Sequence, residues 1–496
     1  MASYVKLADF YKKIKILENI NGILYWDSST MMPRNSFKAR AEEMALLSSI
    51  QQKFLRSEQF GNALESIKCD DLDDWQKANI REMKSLRANA LAVETRLIEL
   101  FTKATAEGKV VWEKARKDNN FQLFAPHLKT IISLARDVGK ARQEYFKKDT
   151  AYDGLLDQYD KGSTQKDLDI IFSDLRQWLP SIISQVIDQQ KSMQTIAFDQ
   201  DFSVEKQKEF ALLCMQKLGF DFDRGRIDTS THPFCGGNAF DIRLTTRYDI
   251  KNFITGTLGV MHETGHALYN QNLPEDYKYQ AVGEYRSIAI HESQSLFVEK
   301  HLGSSREFWD YISPQVQKVF KLSKTNKAYS ADNFYNINNK VESTFIRVDA
   351  DEVTYPAHII LRYNLEKELI AGNLKVHDIP KVWNESMKEL LGITPQSNRE
   401  GCLQDIHWSM GAFGYFPTYL KGSIFAAQIA GELNKQDKNF KNHIKSGDWQ
   451  KIIAFLKDKV HSKGSLLTSD ELVKSVVGTG FDVEVYKKYL MDKFLK

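Results

Sequence analysis

The chain has few of the features that mark secreted, membrane-spanning or nucleic-acid-binding proteins. Its four cysteines, Cys69, Cys214, Cys235 and Cys402, form no Cys-x-x-Cys pair, which argues against a cysteine-rich zinc site and fits a reducing compartment. No basic segment followed by an apolar core opens the sequence, and no apolar run approaches the ~20 residues that cross a bilayer. The net charge of +3 is too small at this length to favour nucleic acid or a membrane surface. We therefore expect a cytoplasmic protein that binds neither.

Proline is also scarce, and this favours helices. Only ten prolines occur in 496 residues, and proline interrupts helices. Apolar residues at spacings of three and four predict an amphipathic helix near the start, and another is expected over Gln165–Ile187. Phe124-Ala-Pro126 predicts a turn. No repeat or linker is visible, so we expect one mainly α domain over residues 1–496, with a helical lobe at 1–200 and a catalytic part at 201–496.

A short β-rich stretch interrupts the helical pattern. Arg226–Cys235 and Ala239–Tyr248 favour strands, and Gly236-Gly-Asn238 between them supplies turn residues. Together they predict a hairpin, which either supports the neighbouring helix or offers an edge strand to an extended peptide. Asn333–Asn339 predicts a further short strand, and a helix is expected from about Ala281 to His301.

Directly after the hairpin stands His262-Glu-Thr-Gly-His266, an H-E-x-x-H motif. Helix positions i and i+4 lie about 40° apart around the axis, so both imidazoles can bind one metal ion. Glu263 is placed to reach a water on that metal, and zinc lowers the pKa of such a water towards ~7. Glu263 is therefore the candidate general base of a zinc peptidase. The alternative is an amphipathic helix with two histidines, a match expected by chance in roughly 1–2% of such chains.

Catalytic zinc usually has three protein ligands and one open position. Five downstream residues are candidates for the third ligand: Glu284, His291, Glu292, Glu299 and His301. Glu292 is one of them, on the next predicted helix, and a carboxylate that projects from a second helix beside the first could be the third ligand. An ordinary helix with a polar face remains the alternative.

Other residues suit the remaining tasks of a peptidase. Arginine binds a terminal carboxylate through two parallel hydrogen bonds, and the candidates are Arg243, Arg247 and Arg347. An oxyanion needs a donor besides the metal, and the candidates are His407, Tyr415 and Tyr419. Each arginine is alternatively a member of an ion pair, and each aromatic residue alternatively a packed core residue.

Six short motifs resemble the signatures of the Taq-type metallocarboxypeptidases, in the same order. They are His232-Pro-Phe234, Asp241-Ile-Arg-Leu-Thr245, His262-Glu-Thr-Gly-His266, His291-Glu-Ser-Gln294, Ile346-Arg-Val-Asp-Ala-Asp351 and Gly401-Cys-Leu-Gln-Asp-Ile-His-Trp408. The similarity covers essentially the whole chain.

This resemblance implies a nearly all-helical fold of the neurolysin-like gluzincin type, with a small sheet beside a deep groove. It implies one zinc per chain, with cobalt or manganese as alternatives, and a homodimer acting on peptide C-termini with broad preference. The implied metal ligands are His262, His266 and Glu292, with Glu263 as general base. The implied transition-state donor is His407, and the residues expected to bind substrate are His232, Arg243, Arg347, Tyr415 and Tyr419.

Two other functions remain open at this point. A zinc oligopeptidase or dipeptidyl carboxypeptidase could use the same helices, because the H-E-x-x-H motif does not fix where a peptide is cut. An inactive helical scaffold has no need of His262, Glu263, His266 and Glu292 together.

Overall fold

Helices make up most of the chain, as the shortage of proline predicts. The computed structural model describes residues 2–495. Its α-helices within this range are α1 (Ala2–Thr30), α2 (Phe37–Arg56), α3 (Glu58–Glu65), α4 (Asp74–Leu91), α5 (Thr95–Lys117), α6 (Phe121–Phe146), α7 (Ala151–Leu156), α8 (Gln165–Gln190), α9 (Val204–Leu218), α10 (Phe253–Gln271), α11 (Ile288–Leu296), α12 (Arg306–Phe320), α13 (Ala331–Asn338), α14 (Tyr355–Ala371), α15 (Ile379–Leu391), α16 (Phe416–Gln436), α17 (Phe440–Ser446), α18 (Trp449–Lys459), α19 (Ser469–Val477) and α20 (Val483–Phe494).

The predicted hairpin is only partly correct, and the β-rich stretch forms a three-stranded sheet. Its strands are β1 (Gly225–Thr229), β2 (Cys235–Asn238) and β3 (Asp241–Thr246). β3 lies in the centre, antiparallel to β2 and parallel to β1. The predicted turn residues Gly236 and Gly237 belong to β2, and the chain reverses one step later, between Asn238 and Asp241. The edge strand β2 therefore consists mostly of residues predicted to form the turn. The predicted first strand, Arg226–Cys235, is not one strand: its first part belongs to β1, which runs parallel to β3 and cannot form a hairpin with it.

Two large apolar clusters hold the fold together, and α16 belongs to both. Leu420 and Ile424 join a cluster built mainly from α5–α8, α14, α15 and α20. Phe425 and Ile429 join a second cluster that contains α9–α12 and the sheet. Because opposite faces of one helix are buried, α16 fixes the position of the first cluster relative to the helix with the H-E-x-x-H motif.

Two local predictions are wrong. Asn333–Asn339 is not a strand but most of α13, because Ser330 accepts a hydrogen bond from the Asn333 amide and caps the helix. Phe124-Ala-Pro126 is not a turn, since Pro126 lies inside α6. The turn comes earlier, where Asn119 adopts a positive φ of 52°.

The helix expected over Ala281–His301 is broken into pieces. Residues 284–287 are extended or irregular, and α11 begins only at Ile288, where Ser287 caps it by accepting from the Ile290 amide. After Leu296 the helix widens into a π-helix over Phe297–Gly303. π-helical turns often occur at functional sites, and this one leads into the site described next.

Candidate metal centre and substrate groove

The two histidines of the motif lie on the polar stripe of an otherwise buried helix. Asn252 caps α10 by accepting a hydrogen bond from the Ile254 amide. Val260, Met261, Ala267 and Leu268 are buried in the second apolar cluster. The remaining stripe presents His262 and His266, whose ring centres lie 4.9 Å apart.

Glu292 reaches these histidines because two glycines let the helices come close. A Cβ at Gly265 of α10 would lie 2.6 Å from the Cα of Ser295 in α11, and a Cβ at Gly422 of α16 would lie 2.8 Å from Cγ of Glu292. The Glu292 oxygens lie 3.9 Å from Nε2 of His262 and 3.5 Å from Nε2 of His266.

The donor atoms fit a divalent metal. One atom each from His262, His266 and Glu292 lies within 4.8 Å of the other two. Two imidazole nitrogens and one carboxylate oxygen are the protein ligands of one class of catalytic zinc site. The side chain of Glu292 is largely buried, and an unpaired carboxylate is costly to bury. A cation held by these three residues would offset that cost.

Two carboxylates beside the donor set differ in their environment. Oε2 of Glu299 lies 2.9 Å from Nδ1 of His262, and Oε1 lies 2.6 Å from Nζ of Lys300. Burial raises the pKa of Glu299, but Lys300 and His262 outweigh it and lower the pKa to about 2. Burial raises the pKa of Glu263 above its ordinary value, against the opposing effect of the two histidines. Glu263 is thus the better proton acceptor of the two.

The groove at the cluster has two cavities, one on each side. The first, which we call the arginine cavity, has a volume of about 340 Å³ and is bounded by His262, Glu263, Glu292, Arg347 and Tyr355. The second, which we call the strand cavity, has a volume of about 500 Å³. Its walls are formed by α1, the edge strand β2 and the loop before α11, represented by Lys15, Glu18, Cys235, Gly236, Gly237, Glu284 and Tyr285.

Arg347 is held firmly at the wall of the arginine cavity. Its Nε donates to Asp405 at 2.9 Å and its Nη1 donates to the Tyr355 hydroxyl at 3.0 Å. The side chain is only 7% exposed. Asp405 also accepts from Nε of Arg362 at 2.6 Å, so one carboxylate joins two arginines.

Of the three aromatic donor candidates, two line the groove and one lies behind it. Tyr419 borders both cavities, and Tyr415 borders the strand cavity. Nε2 of His407 lies 3.4 Å from the Tyr419 hydroxyl, and its ring packs on Phe416. Burial lowers the pKa of His407 to about 4, so the ring is neutral.

The remaining predicted substrate residues lie outside the two cavities. His232 is exposed, and its neighbours Pro233 and Phe234 border the strand cavity. Arg243 makes two hydrogen bonds of 2.8 Å to Asp241 and lies 4.4 Å over the Trp26 ring. Arg247 is exposed beyond the end of β3.

The other four candidates for the third ligand have different partners. Glu284 pairs with Lys15 at 2.7 Å, and Glu299 bonds the far nitrogen of His262. His291 stacks on His266 with ring centres 4.4 Å apart, and Nε2 of His291 lies 3.1 Å from Asn270. His301 packs against Tyr489.

Sequence reasoning missed three residues that shape the arginine cavity. Asp405 lies inside a quoted motif, and Tyr355 follows the Arg347 motif by four residues. Arg362 follows the apolar run Ile359-Ile-Leu361. A charge in such a run signals a buried ion pair, although it does not identify the partner.

Comparison with known protein families shows to which family the chain belongs. The family described as carboxypeptidase Taq (M32) metallopeptidase matches residues 6–494. The chain belongs to this family. Its M32 membership makes it a metal-dependent carboxypeptidase and favours that function over an oligopeptidase or a dipeptidyl carboxypeptidase.

Relatives of known name agree with this assignment over nearly the full length. Carboxypeptidase 1 of Bacillus subtilis is 35% identical over 491 residues, which cover 98% of this chain and 97% of the relative. Thermostable carboxypeptidase 1 of Pyrococcus furiosus is 32% identical over 489 residues, with coverage of 98% and 97%.

Solved structures show the same fold. Metallocarboxypeptidase 1 of Trypanosoma cruzi superposes with a TM-score of 0.97 at 36% identity and covers 100% of both chains. A carboxypeptidase structure from Pyrococcus furiosus gives a TM-score of 0.95 at 31% identity, covering 100% of this chain and 99% of the other. The expected helical fold with a small sheet is confirmed. Between residues 2 and 495, no helix is both long and apolar enough to cross a membrane.

Proposed function

We propose that the M32 chain removes single residues from the C-termini of peptides with broad preference, using one metal ion held by His262, His266 and Glu292. The observation that supports this most directly is the position of Arg347. Its guanidinium borders the same cavity as His262, Glu263 and Glu292. A group that binds a terminal carboxylate beside the metal ligands favours cleavage of the last peptide bond.

The two cavities also determine the orientation in which the peptide binds along the groove. The terminal residue occupies the arginine cavity, with its carboxylate on Arg347. The preceding residues occupy the strand cavity, where Cys235, Gly236 and Gly237 of β2 form one wall. As an edge strand, β2 has a row of backbone groups free to pair with an extended peptide. His232 then lies at the rim, and Arg243 supports the hairpin by fixing β3 against Trp26.

Side chains in the groove supply the proton transfer and the hydrogen bonds that hydrolysis needs. When bound, the metal makes a water acidic and polarises the scissile carbonyl. Glu263 is placed to accept a proton from a water beside these ligands and would return it to the leaving amine. Tyr419 borders both cavities and donates to the developing oxyanion, with Tyr415 beside it. His407 acts through Tyr419, because its ring nitrogen faces that hydroxyl.

Zinc is the proposed metal, and cobalt or manganese are alternatives because histidine and glutamate accept all three. We further propose a cytoplasmic homodimer in which residues 1–496 work as one unit, with a helical lobe at 1–200 and a catalytic part at 201–496. The four cysteines are unpaired, which fits a reducing compartment. Sedimentation analysis tests the dimer, and metal analysis of the purified chain tests the stoichiometry.

A pair of peptides tests the function. The two have the same sequence, one with a free C-terminal carboxylate and the other with a C-terminal amide. The metal-loaded chain is expected to cleave the free acid and to leave the amide nearly untouched. Equal cleavage of the acid and the amide would mean that Arg347 does not bind a terminal carboxylate.

A further inference from the structure

Asp405 binds two arginines with its two oxygens. Oδ1 accepts from Nε of Arg347 at 2.9 Å, and Oδ2 accepts from Nε of Arg362 at 2.6 Å. Nη1 of Arg362 donates to the His358 carbonyl at 2.7 Å. Arg362 is completely buried, at 0% exposure, and packs against the Trp383 ring. It therefore cannot touch a peptide in the groove.

The charges in this cluster do not cancel. Two guanidinium groups share one carboxylate, and burial keeps the nearby His358 and His407 neutral by lowering the pKa of each. Burial would raise the pKa of Asp405, but the two arginine charges outweigh it, so Asp405 stays ionised. Asp405, Arg347 and Arg362 together therefore carry one positive unit, and Arg347 is the member of the three that borders the groove. Other carboxylates border the same cavity, of which Glu299 pairs with Lys300 and Glu352 pairs with Lys493.

The surroundings of Arg347 strengthen the effect of that charge. Its guanidinium lies 5.5 Å from the Phe416 ring and 5.3 Å from the Tyr419 ring. Aromatic walls exclude water, and a charge acts further in such a medium. An isolated Arg347–Asp405 pair in the same place would be neutral and would attract a carboxylate only weakly.

We propose that Arg362 is a positioning residue for substrate recognition: by holding one oxygen of Asp405, it keeps Asp405 from neutralising Arg347, so that the guanidinium of Arg347 keeps positive charge for the terminal carboxylate. This inference rests on the proposed function. It goes beyond the position of Arg347, because it assigns part of the affinity for the terminal carboxylate to Arg362, which does not contact the substrate.

Changing the charge without changing the groove tests the proposal. In Arg362→Met, Asp405 is left to neutralise Arg347. With the zinc-loaded chain and an N-blocked peptide with a free carboxylate, KM is expected to rise about tenfold while kcat changes less than about twofold. A wild-type KM in this variant would overturn the proposal.

A double variant separates charge from structure. Arg362→Met combined with Asp405→Asn removes one positive and one negative charge, and the asparagine oxygen still accepts from Arg347. KM is expected to return to within about threefold of wild type. If Arg362 were only structural, the double variant would bind as poorly as the single variant or worse, and that result would overturn the proposal.

Two further variants keep the test decisive if Arg362→Met does not fold. Arg362→Lys keeps the charge, so its KM is expected to stay within about threefold of wild type, and a tenfold rise would contradict the proposal. Arg142→Met removes another buried arginine, which binds the Gly154 carbonyl and Asn89. It is expected to lower stability while leaving KM unchanged.

The wild-type chain distinguishes failure of this inference from failure of the proposed function. If it cleaves the acid and the amide equally, the proposed function fails and the inference fails with it. If it prefers the acid while Arg362→Met keeps the wild-type KM, only the role of Arg362 is refuted.

Discussion

Nδ1 of His262 lies 2.9 Å from Oε2 of Glu299, on the opposite ring nitrogen from the one that faces Glu292. A carboxylate on Nδ1 holds the proton there and leaves Nε2 free to bind a metal. The π-helical stretch after α11 contains Glu299. The same chain segment therefore supplies a proposed ligand and the group that orients another ligand.

Replacing Glu299 tests this orientation. In Glu299→Gln the charge that fixes the His262 tautomer is lost, so the dissociation constant for zinc is expected to rise about 10–100-fold. Competition with a metal-binding dye measures it. Glu389→Gln, at an exposed ion pair with Arg176, is the control and should leave the constant unchanged. Wild-type zinc affinity in Glu299→Gln would show that Glu299 does not support the site.

Glu263→Gln separates the general base from the metal ligands. The variant keeps His262, His266 and Glu292, so it is expected to bind zinc in the wild-type ratio. Because the proton acceptor is lost, kcat should fall at least about a hundredfold. Metal analysis and turnover on one preparation check both points. Normal turnover would refute the role, and loss of zinc would make Glu263 a structural residue.

Arg347 and Arg243 have different expected effects, although both belong to motifs of the family. Arg347→Met removes the proposed carboxylate partner, and KM for a free-acid peptide should rise about 10–100-fold at unchanged zinc content. Arg243→Met breaks a pair with Asp241 outside both cavities and should change KM less than about threefold. A larger rise in KM for Arg243→Met than for Arg347→Met would mean that the terminal carboxylate of the peptide binds near the sheet.

Glu366 predicts a pH dependence of stability. Tyr152, Trp408 and the Gly414 amide each donate to it at 2.8 Å, yet burial raises its pKa from an ordinary 4.5 to about 7. A raised folded-state pKa means that the stability present below about pH 4.5 is lost as the pH rises through about 7. Glu366→Gln should lack this loss.

Thermal unfolding of metal-loaded wild type and Glu366→Gln measures the difference between about pH 5 and pH 8. Wild type is expected to lose about 1–3 kcal/mol relative to the variant over this window. Glu389→Gln is again the exposed control and should follow wild type. Parallel curves for wild type and Glu366→Gln would show that Glu366 does not titrate there.

The local parts of the site could be predicted from the sequence. The spacing of His262 and His266 fixes one helix face, and the structure places both on the open stripe of α10. The choice between Glu292 and Glu299 could not be made by spacing alone. Residues seven apart lie within about 20° of each other on a helix, so only the packing of α11 against α10 and α16 separates their positions.

The long-range parts could not be predicted. Asp405 binds both Arg347 and Arg362, and Arg362 lies 43 residues earlier in the chain. Neither segment contains a sequence pattern that identifies Asp405 as the shared partner. The wrong strand at Asn333–Asn339 has a local cause. Its aromatic and apolar residues suit either structure, and the Ser330 cap is what begins the helix.

The central claim is that a metal held by His262, His266 and Glu292, together with Arg347, limits hydrolysis to the last peptide bond. Mass spectrometry of the zinc-loaded chain acting on one longer peptide tests this most directly. The account predicts a ladder of products, each shorter by one C-terminal residue, that disappears when the metal is removed by a chelator. Internal fragments, released dipeptides or an unchanged ladder without metal would contradict it.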